Sequence, residues 1–305
     1  MTKVSITAII LTHNEELHLK RCLNNVKAFC ERVIVVDSYS TDNTESIARS
    51  ENVEFVQNKW INYSYQFNWA LDNVPINSEW VLRIDADEYF TNNLIQELRT
   101  RLPKLSKEIT GIYVKRLMYF MDMPLKKGGM YPIWHIKLWR NGYGYCEHRW
   151  MDERVILRSG KTIEFGKGDL IDHNLNNMTW WTNKHNQYTI REAIDILDGI
   201  YNFTNADRLK PKLLGNQEQR KRWLKLKYLS FPLFIRPFIY WFIRYFILGG
   251  FLEGKRGFIW NCLHAFWYRY LVDVKIYEVL RETKKNRSKI IEYFHLEYGY
   301  DITKY

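Results

Sequence analysis

The stretch VLRIDADEYF, residues 81–90, opens as an apolar run fit for a buried strand and then sets Asp85, Asp87 and Glu88 within four residues. Carboxylates that close repel one another, and burying them unpaired is costly. The stretch therefore predicts a strand whose end is a site, supplied with a cation or with hydrogen-bond donors. What kind of sheet the strand belongs to depends on its neighbours.

Upstream, VSITAIILT (4–12) reads as a strand buried on both faces, and HNEELHLKRCLNNVKAF follows with Leu17, Leu19, Leu23 and Val26 at roughly helical spacing. RVIVVD (32–37) is a second strand, and STDNTESIARS starts a helix with Thr41 or Asp42 as its cap. VEFV (53–56) is a third strand, YSYQFNWALDNV a helix, EWVLRID the fourth strand, and TNNLIQELRTRL another helix. This alternation predicts an α/β fold, a mostly parallel, Rossmann-like sheet with helices on both faces. Ligands of such sheets bind beyond the carboxyl ends of the strands. Three polar clusters, Thr12–Glu15, Asp37–Asp42 and Asp85–Glu88, fall at those ends. After residue 110 the pattern turns β-rich, in TGIYVKRLMYF, IWHIKLWR, RVILRS and GDLIDH.

Charge divides the chain. Residues 1–200 hold 25 basic and 25 acidic side chains, whereas residues 201–305 hold 20 basic against 9 acidic and so carry the whole net charge of +11. A boundary is expected near 200, giving a catalytic domain over 1–200 and a helical, basic and aromatic extension over 201–305. Residues 228–270 contain sixteen aromatics, but Arg236, Pro237 and Arg244 interrupt the richest run before it reaches the length of a spanning helix. Two readings stand for this region: a helix lying in an anionic membrane interface, or a helical subdomain with aromatics in its core. No recognition motif accompanies the charge, which argues against nucleic acid as a partner. Cys22, Cys30, Cys146 and Cys262 show no CxxC spacing and read as free thiols of a reducing compartment, and the N-terminal apolar stretch is too short for a signal-peptide core.

A lone DxD at a strand end is either a metal and diphosphate site or a solvated acidic turn capping the next helix. IILTHNEE, VIVVDSYSTDNT and WVLRIDADEYF taken together, in order and spacing, resemble the inverting hexosyltransferases of glycosyltransferase family 2. These have the GT-A fold, and the nearest branch includes lipopolysaccharide-core glucosyltransferases. The resemblance covers about the first 200 residues. It implies that Thr12, Asn14 and Glu15 lie beside a donor nucleotide and that Asp37 reads its base, typically uracil. Asp87 would be the direct ligand of Mn²⁺ or Mg²⁺, with Asp85 on the metal or the ribose. Gln66 and Asn68 either line the donor site or form a polar helix face. Within EHRWMDERVIL (147–157) the family's acidic pair maps to Asp152 and Glu153, with Glu153 the general base and Asp152 the alternative. The bland reading of this segment is a surface loop of mixed charge. His173 is a late metal ligand or a structural histidine, and Lys184 meets the diphosphate or solvent.

The resemblance thus implies metal-dependent transfer of a sugar from a UDP-linked donor to a glycan; with the basic, aromatic extension, the expectation is a lipid-linked or cell-envelope acceptor met at the cytoplasmic face of the membrane. The competing class is a noncatalytic membrane-associated protein that binds nucleotide sugars or glycans on the same fold.

Overall fold

The structure, a computed structural model, describes residues 3–204, 210–215 and 217–303. They form two compact units. The first comprises residues 3–126, 130–146 and 154–176; the second comprises 127–129, 147–153 and the described residues from 177 onward.

The first unit runs β1 (Val4–Thr12), α1 (Leu19–Lys27), β2 (Cys30–Asp37), α2 (Thr44–Ser50), β3 (Glu54–Gln57), α3 (Tyr63–Asn73), β4 (Trp80–Asp85), β5 (Glu88–Phe90) and α4 (Asn92–Arg101). It continues through β6 (Ile109–Phe120), β7 (Met123–Pro124), β8 (Ile133–Arg140), β9 (Gly144–Cys146), β10 (Val155–Leu157) and β11 (Lys161–His173). The main sheet has the order β3-β2-β1-β4-β8-β6-β11-β5, with β7 paired to β6; β9 and β10 form a separate hairpin pair.

β1, β2, β3 and β4 are mutually parallel, as the alternation predicts. β8 enters antiparallel between β4 and β6, so the sheet is mixed on that side. β1 shows why a continuous apolar run was the right signal. Its Ile6, Ala8 and Ile10 pack with α1, α2 and α4, while Ile9 and Leu11 pack with Phe67 and Ala70 of α3 on the opposite face. Burying one such side chain contributes ~1.5–3 kcal/mol, so both faces must be apolar for a central strand. The α2 start differs slightly from expectation. Asn43 is the N-cap position, and Asp42 instead accepts the backbone N–H groups of Thr44 (2.9 Å) and Glu16 (3.0 Å).

The second unit holds α5 (Met178–Tyr201), α6 (Gln217–Leu229), α7 (Arg236–Phe242), α8 (Gly254–Trp260), α9 (Tyr268–Glu282) and α10 (Arg287–Tyr298). Wide π-type turns, Ile243–Ile247 and Asn261–Trp267, continue α7 and α8. Ile190, Ala193, Ile194 and Leu197 of α5 pack with Val272, Ile276 and Val279 of α9 and Ile290 and Phe294 of α10. The division expected near residue 200 therefore falls at 176/177. The apolar stripe of α5 finds its partners in α9 and α10, and residues 147–153 join the same unit. None of the helices among the described residues is long and apolar enough to cross a membrane.

Candidate functional site

Parallel pairing sets the site's register. Thr12 lies opposite Asp37, and Leu11 opposite Asp85, so the ends of β1, β2 and β4 come level. The two loops leaving β1 and β2 are laced together. Asn14 takes the left-handed conformation (φ 56°), which Asn tolerates better than most residues. Its N–H donates to Ser40 Oγ and its Oδ1 accepts from Thr41 N, each at 2.8 Å. Glu15 N donates to Thr44 Oγ1 (2.8 Å). The Glu15 carboxylate is aligned by His18, whose Nδ1 stands 2.7 Å away while its Nε2 accepts the Leu175 N–H (2.9 Å).

Asp37 is fully buried and accepts from Thr12 Oγ1 (2.8 Å), from Ser40 N (2.8 Å) and Oγ, and from Gln57 Nε2 at a longer 3.3 Å. It is the hub that shapes the turn after β2. Gln66 is also fully buried, which removes the polar-face reading for it. Its amide joins Ser38 Oγ (3.1 Å), Asn58 O (3.0 Å) and Asn58 Nδ2 (2.9 Å). Asn68 has a different use from the expected donor contact. Its amide makes a two-bond bracket with the backbone of Cys146, to the carbonyl at 2.8 Å and from the N–H at 2.9 Å, and so pins β9.

The acidic cluster after β4 proves to be supplied largely with the protein's own cations. Asp85 accepts from Tyr63 Oη and lies 3.7 Å from Lys137 Nζ. Although burial opposes it, Lys137 and Arg83 hold its carboxyl down at about 2. Glu88, buried, meets Lys137 at 2.6 Å and the Asp85 N–H at 3.0 Å, and its Oε1 has no partner among the described residues. Burial pushes its carboxyl up to about 7, with Lys137 opposing and Asp85 reinforcing. Asp172, which no sequence motif singled out, stands 3.4 Å from Arg116. Burial first and the charge of Asp87 second raise it to about 6. Arg83, Arg116 and Lys137 are basic residues set inside apolar strands, and that anomaly was the available signal for them.

Asp87 differs from its neighbours. Among the described residues its carboxylate accepts from a neutral donor, Asn174 Nδ2 (3.0 Å), while Arg21 and His173 donate to its backbone carbonyl instead, each at 3.1 Å. That backbone bond sets His173 beside Asp87, although 86 positions separate them. His173 Nε2 stands 2.9 Å from the exposed Asp122 carboxylate, and Nδ1 faces Arg21 at 3.5 Å. No group of three or more His, Cys, Asp or Glu side chains forms a ready-made metal cluster among the described residues. A carboxylate held by an amide beside an imidazole nevertheless suits Mg²⁺ or Mn²⁺, which take few protein ligands and draw the rest from substrate phosphates.

Asp152, Glu153 and Lys184 belong to the second unit. There residues 147–153 are locked by charge, not left as a loose surface loop. Glu147, fully buried, pairs with Arg222; Arg149 pairs with Asp195 through two of its nitrogens, Nε (2.8 Å) and Nη2; Trp150 packs on Tyr300 at 5.2 Å between ring centres. Asp152, in a left-handed conformation (φ 59°), accepts from Lys225 Nζ at 3.0 Å. Lys225 also meets Glu192 at 3.0 Å, and these carboxylates hold its pKa up at about 12 despite burial. Lys184 lies over the Trp180 ring, 4.3 Å from its centre.

Residues 7–160, half of the chain, match the family described as glycosyl transferase family 2. A Rickettsia typhi protein described as an uncharacterized glycosyltransferase is 26% identical over 310 residues, spanning 97% of this chain and 94% of its own. The lipopolysaccharide core biosynthesis glycosyltransferase LpsC of Rhizobium meliloti is 26% identical over 303 residues, 94% of this chain and 97% of that one. Among solved structures, S. aureus TarS in complex with UDP-GlcNAc superposes with a TM-score of 0.45 at 17% identity, covering 93% of this chain and 92% of that one.

Proposed function

The chain belongs to glycosyltransferase family 2, and from that premise we propose that it moves a sugar, with inversion, from a UDP-linked donor to a lipid-linked or cell-envelope glycan at the cytoplasmic face of a membrane. Its sheet and flanking helices are the GT-A arrangement. The observation that carries the reading is the level alignment of Thr12, Asp37 and Asp85 at parallel strand ends, with Asp87 and His173 side by side next to them.

In this reading Asn14, Glu15 and the Ser38–Ser40 turn frame the nucleotide. Asp37 takes the N–H of the base by exchanging its longest partner, Gln57, the least costly of its donors to displace. Gln66 keeps the turn in shape from behind. Asp87 and His173, with Asp85 near by, would hold Mn²⁺ or Mg²⁺; when bound, the ion offsets charge on the departing diphosphate. To serve as a ligand, His173 would exchange its contact with Asp122. Glu153 is the general base. Asp152, whose carboxylate accepts from Lys225, is the alternative. Lys184 is assigned to the diphosphate, for which it would have to leave Trp180.

The test is release of nucleoside diphosphate from a panel of nucleotide sugars with Mn²⁺ present, with and without an excess of EDTA. Release that requires the metal supports the reading. Binding of a donor without any release would mark a noncatalytic nucleotide-sugar binder, and full turnover in EDTA would remove the metal from the mechanism.

A further inference from the structure

In the sequence, Arg236 and Arg244 break the aromatic run of 228–270. In the fold both turn inward. Arg236 is 3% exposed and pairs with Asp273 (Nε–Oδ1 2.8 Å); Arg244 is 9% exposed and donates to Tyr240 Oη at 2.8 Å. The apolar side chains turn outward instead. Phe242 is 52% exposed, Ile247 68% and Leu252 63%, with Phe246, Phe251 and Phe258 about half exposed beside them.

These residues are contiguous. Phe242 and Trp241 both touch Phe246, and Tyr245 bridges Phe246, Phe251 and Phe258, with ring centres 5.0–6.3 Å apart. Gly250 allows the tight return between the two helical arms, since a Cβ there would stand 2.9 Å from the Arg244 carbonyl. The face is thus inside-out for water: charges within and large apolar groups without, beyond what single scattered exposures would give.

We propose that this face, from α7 to the start of α8, is the surface that inserts into an anionic lipid monolayer. The idea rests on the membrane-side acceptor proposed above and names the part of the chain that meets the membrane. Charge decides between lipid and a second copy of the chain. Between residues 231 and 258 the exposed charges are Lys255 and Arg256, and the one acidic residue, Glu253, accepts the Lys127 N–H at 2.8 Å. An anionic headgroup layer attracts that pair, whereas a facing copy would oppose it with the same charges. In α6, Arg222 and Lys225 are taken up by Glu147, Asp152 and Glu192, whereas Arg220 and Lys227 are exposed and add to the attraction.

The full chain is mixed with vesicles of phosphatidylcholine, with and without phosphatidylglycerol, and sedimented. The wild type should bind the anionic vesicles, more weakly but measurably at 1 M salt, where the screening length falls to ~3 Å. Replacing Phe242, Ile247 and Leu252 by Ser should weaken binding by about 100-fold or more. Lys255→Gln with Arg256→Gln should cost about five-fold per charge on anionic vesicles and nothing on neutral ones. All these positions are exposed, so unfolding of the variants is not expected, and an unchanged melting temperature checks it.

Failure of the wild type to sediment with anionic vesicles overturns the proposal, as does a triple Ser variant that binds like the wild type. A concentration-dependent dimer abolished by the triple variant would overturn it in favour of self-association. Metal-dependent diphosphate release, measured on the same preparations, separates the two ideas: vesicle binding without release leaves this surface standing and removes the transferase reading.

Discussion

Acidic residues serve opposite ends in the two units. In the second unit Glu147, Asp152, Glu192, Asp195 and Asp273 each meet a lysine or arginine, and the result is a fixed scaffold. At the end of β4 the cations go to Asp85, Glu88 and Asp172, and Asp87 is left with an amide. Paired charge holds the chain in place. A carboxylate held by a neutral donor remains available to a ligand.

The sharpest way to break this comparison is at the neighbouring acids Asp152 and Glu153. Glu153→Gln should lower transfer by ~10²–10⁴-fold, the usual cost of losing a general base, while calorimetric donor affinity stays near that of the wild type. Asp152→Asn, which removes a partly exposed ion pair, should change activity by less than about ten-fold. A dead Asp152→Asn enzyme beside an active Glu153→Gln enzyme would move the base by one residue.

Lys225→Met tests the scaffold half. It takes one of two cations from the buried Glu192, which keeps Arg269, and removes the lysine from the partly exposed Asp152. The cost should stay below the ~3–5 kcal/mol of a fully stranded buried charge and is read as a fall in the urea midpoint. An unchanged midpoint would mean that residues 147–153 are not held by charge.

The two units should also respond to pH in opposite senses. Glu88 and Asp172 titrate near 7 and 6 in the fold, above their ordinary 4.5 and 3.8. The folded state therefore binds more protons, and the first unit loses stability as pH rises from about 4 to 7. His185 is held down to about 4 by burial against the Trp181 ring. Unfolded chain takes its proton near 6.5, so the second unit loses stability as pH falls from there to about 4. Hydrogen-exchange protection, corrected for intrinsic rates and read separately in β4 and α5, should slope in opposite directions. Parallel slopes would contradict the pairing described for one unit or the other.

The smallest effect is expected at Asn68. Asn68→Ala removes the bracket on Cys146 and should cost ~1–3 kcal/mol, seen as a lower melting temperature with donor affinity retained. A selective loss of donor affinity would return Asn68 to the donor site.

Much of the first unit was legible because central parallel strands must be apolar on both faces, and VSITAIILT and RVIVVD are. The order of β8 and β6 was not legible: an apolar run announces a strand without naming its neighbours. The candidate site divides in the same way. Thr12, Asp37, Asp85 and Asp87 were visible as polar residues at strand ends. Asp172 was not, because its role arises from contacts across the sheet, and Lys137 showed only as a basic residue inside an apolar strand. In the tail, Arg236 looks like an interruption of the aromatic run because its partner Asp273 lies 37 positions away. The helical unit takes in α5 from residue 177 because the stripe of α5 finds its partners in α9 and α10.

The central claim is that Asp87 is kept available for a metal shared with the donor diphosphate. Calorimetric titration of UDP into the protein tests it directly, with Mn²⁺ present, with excess EDTA, and with Asp87→Ala in Mn²⁺. The account predicts saturable binding in the first case and its loss in the other two, with the variant's fold and melting temperature preserved. Equal UDP affinity in all three titrations would contradict it.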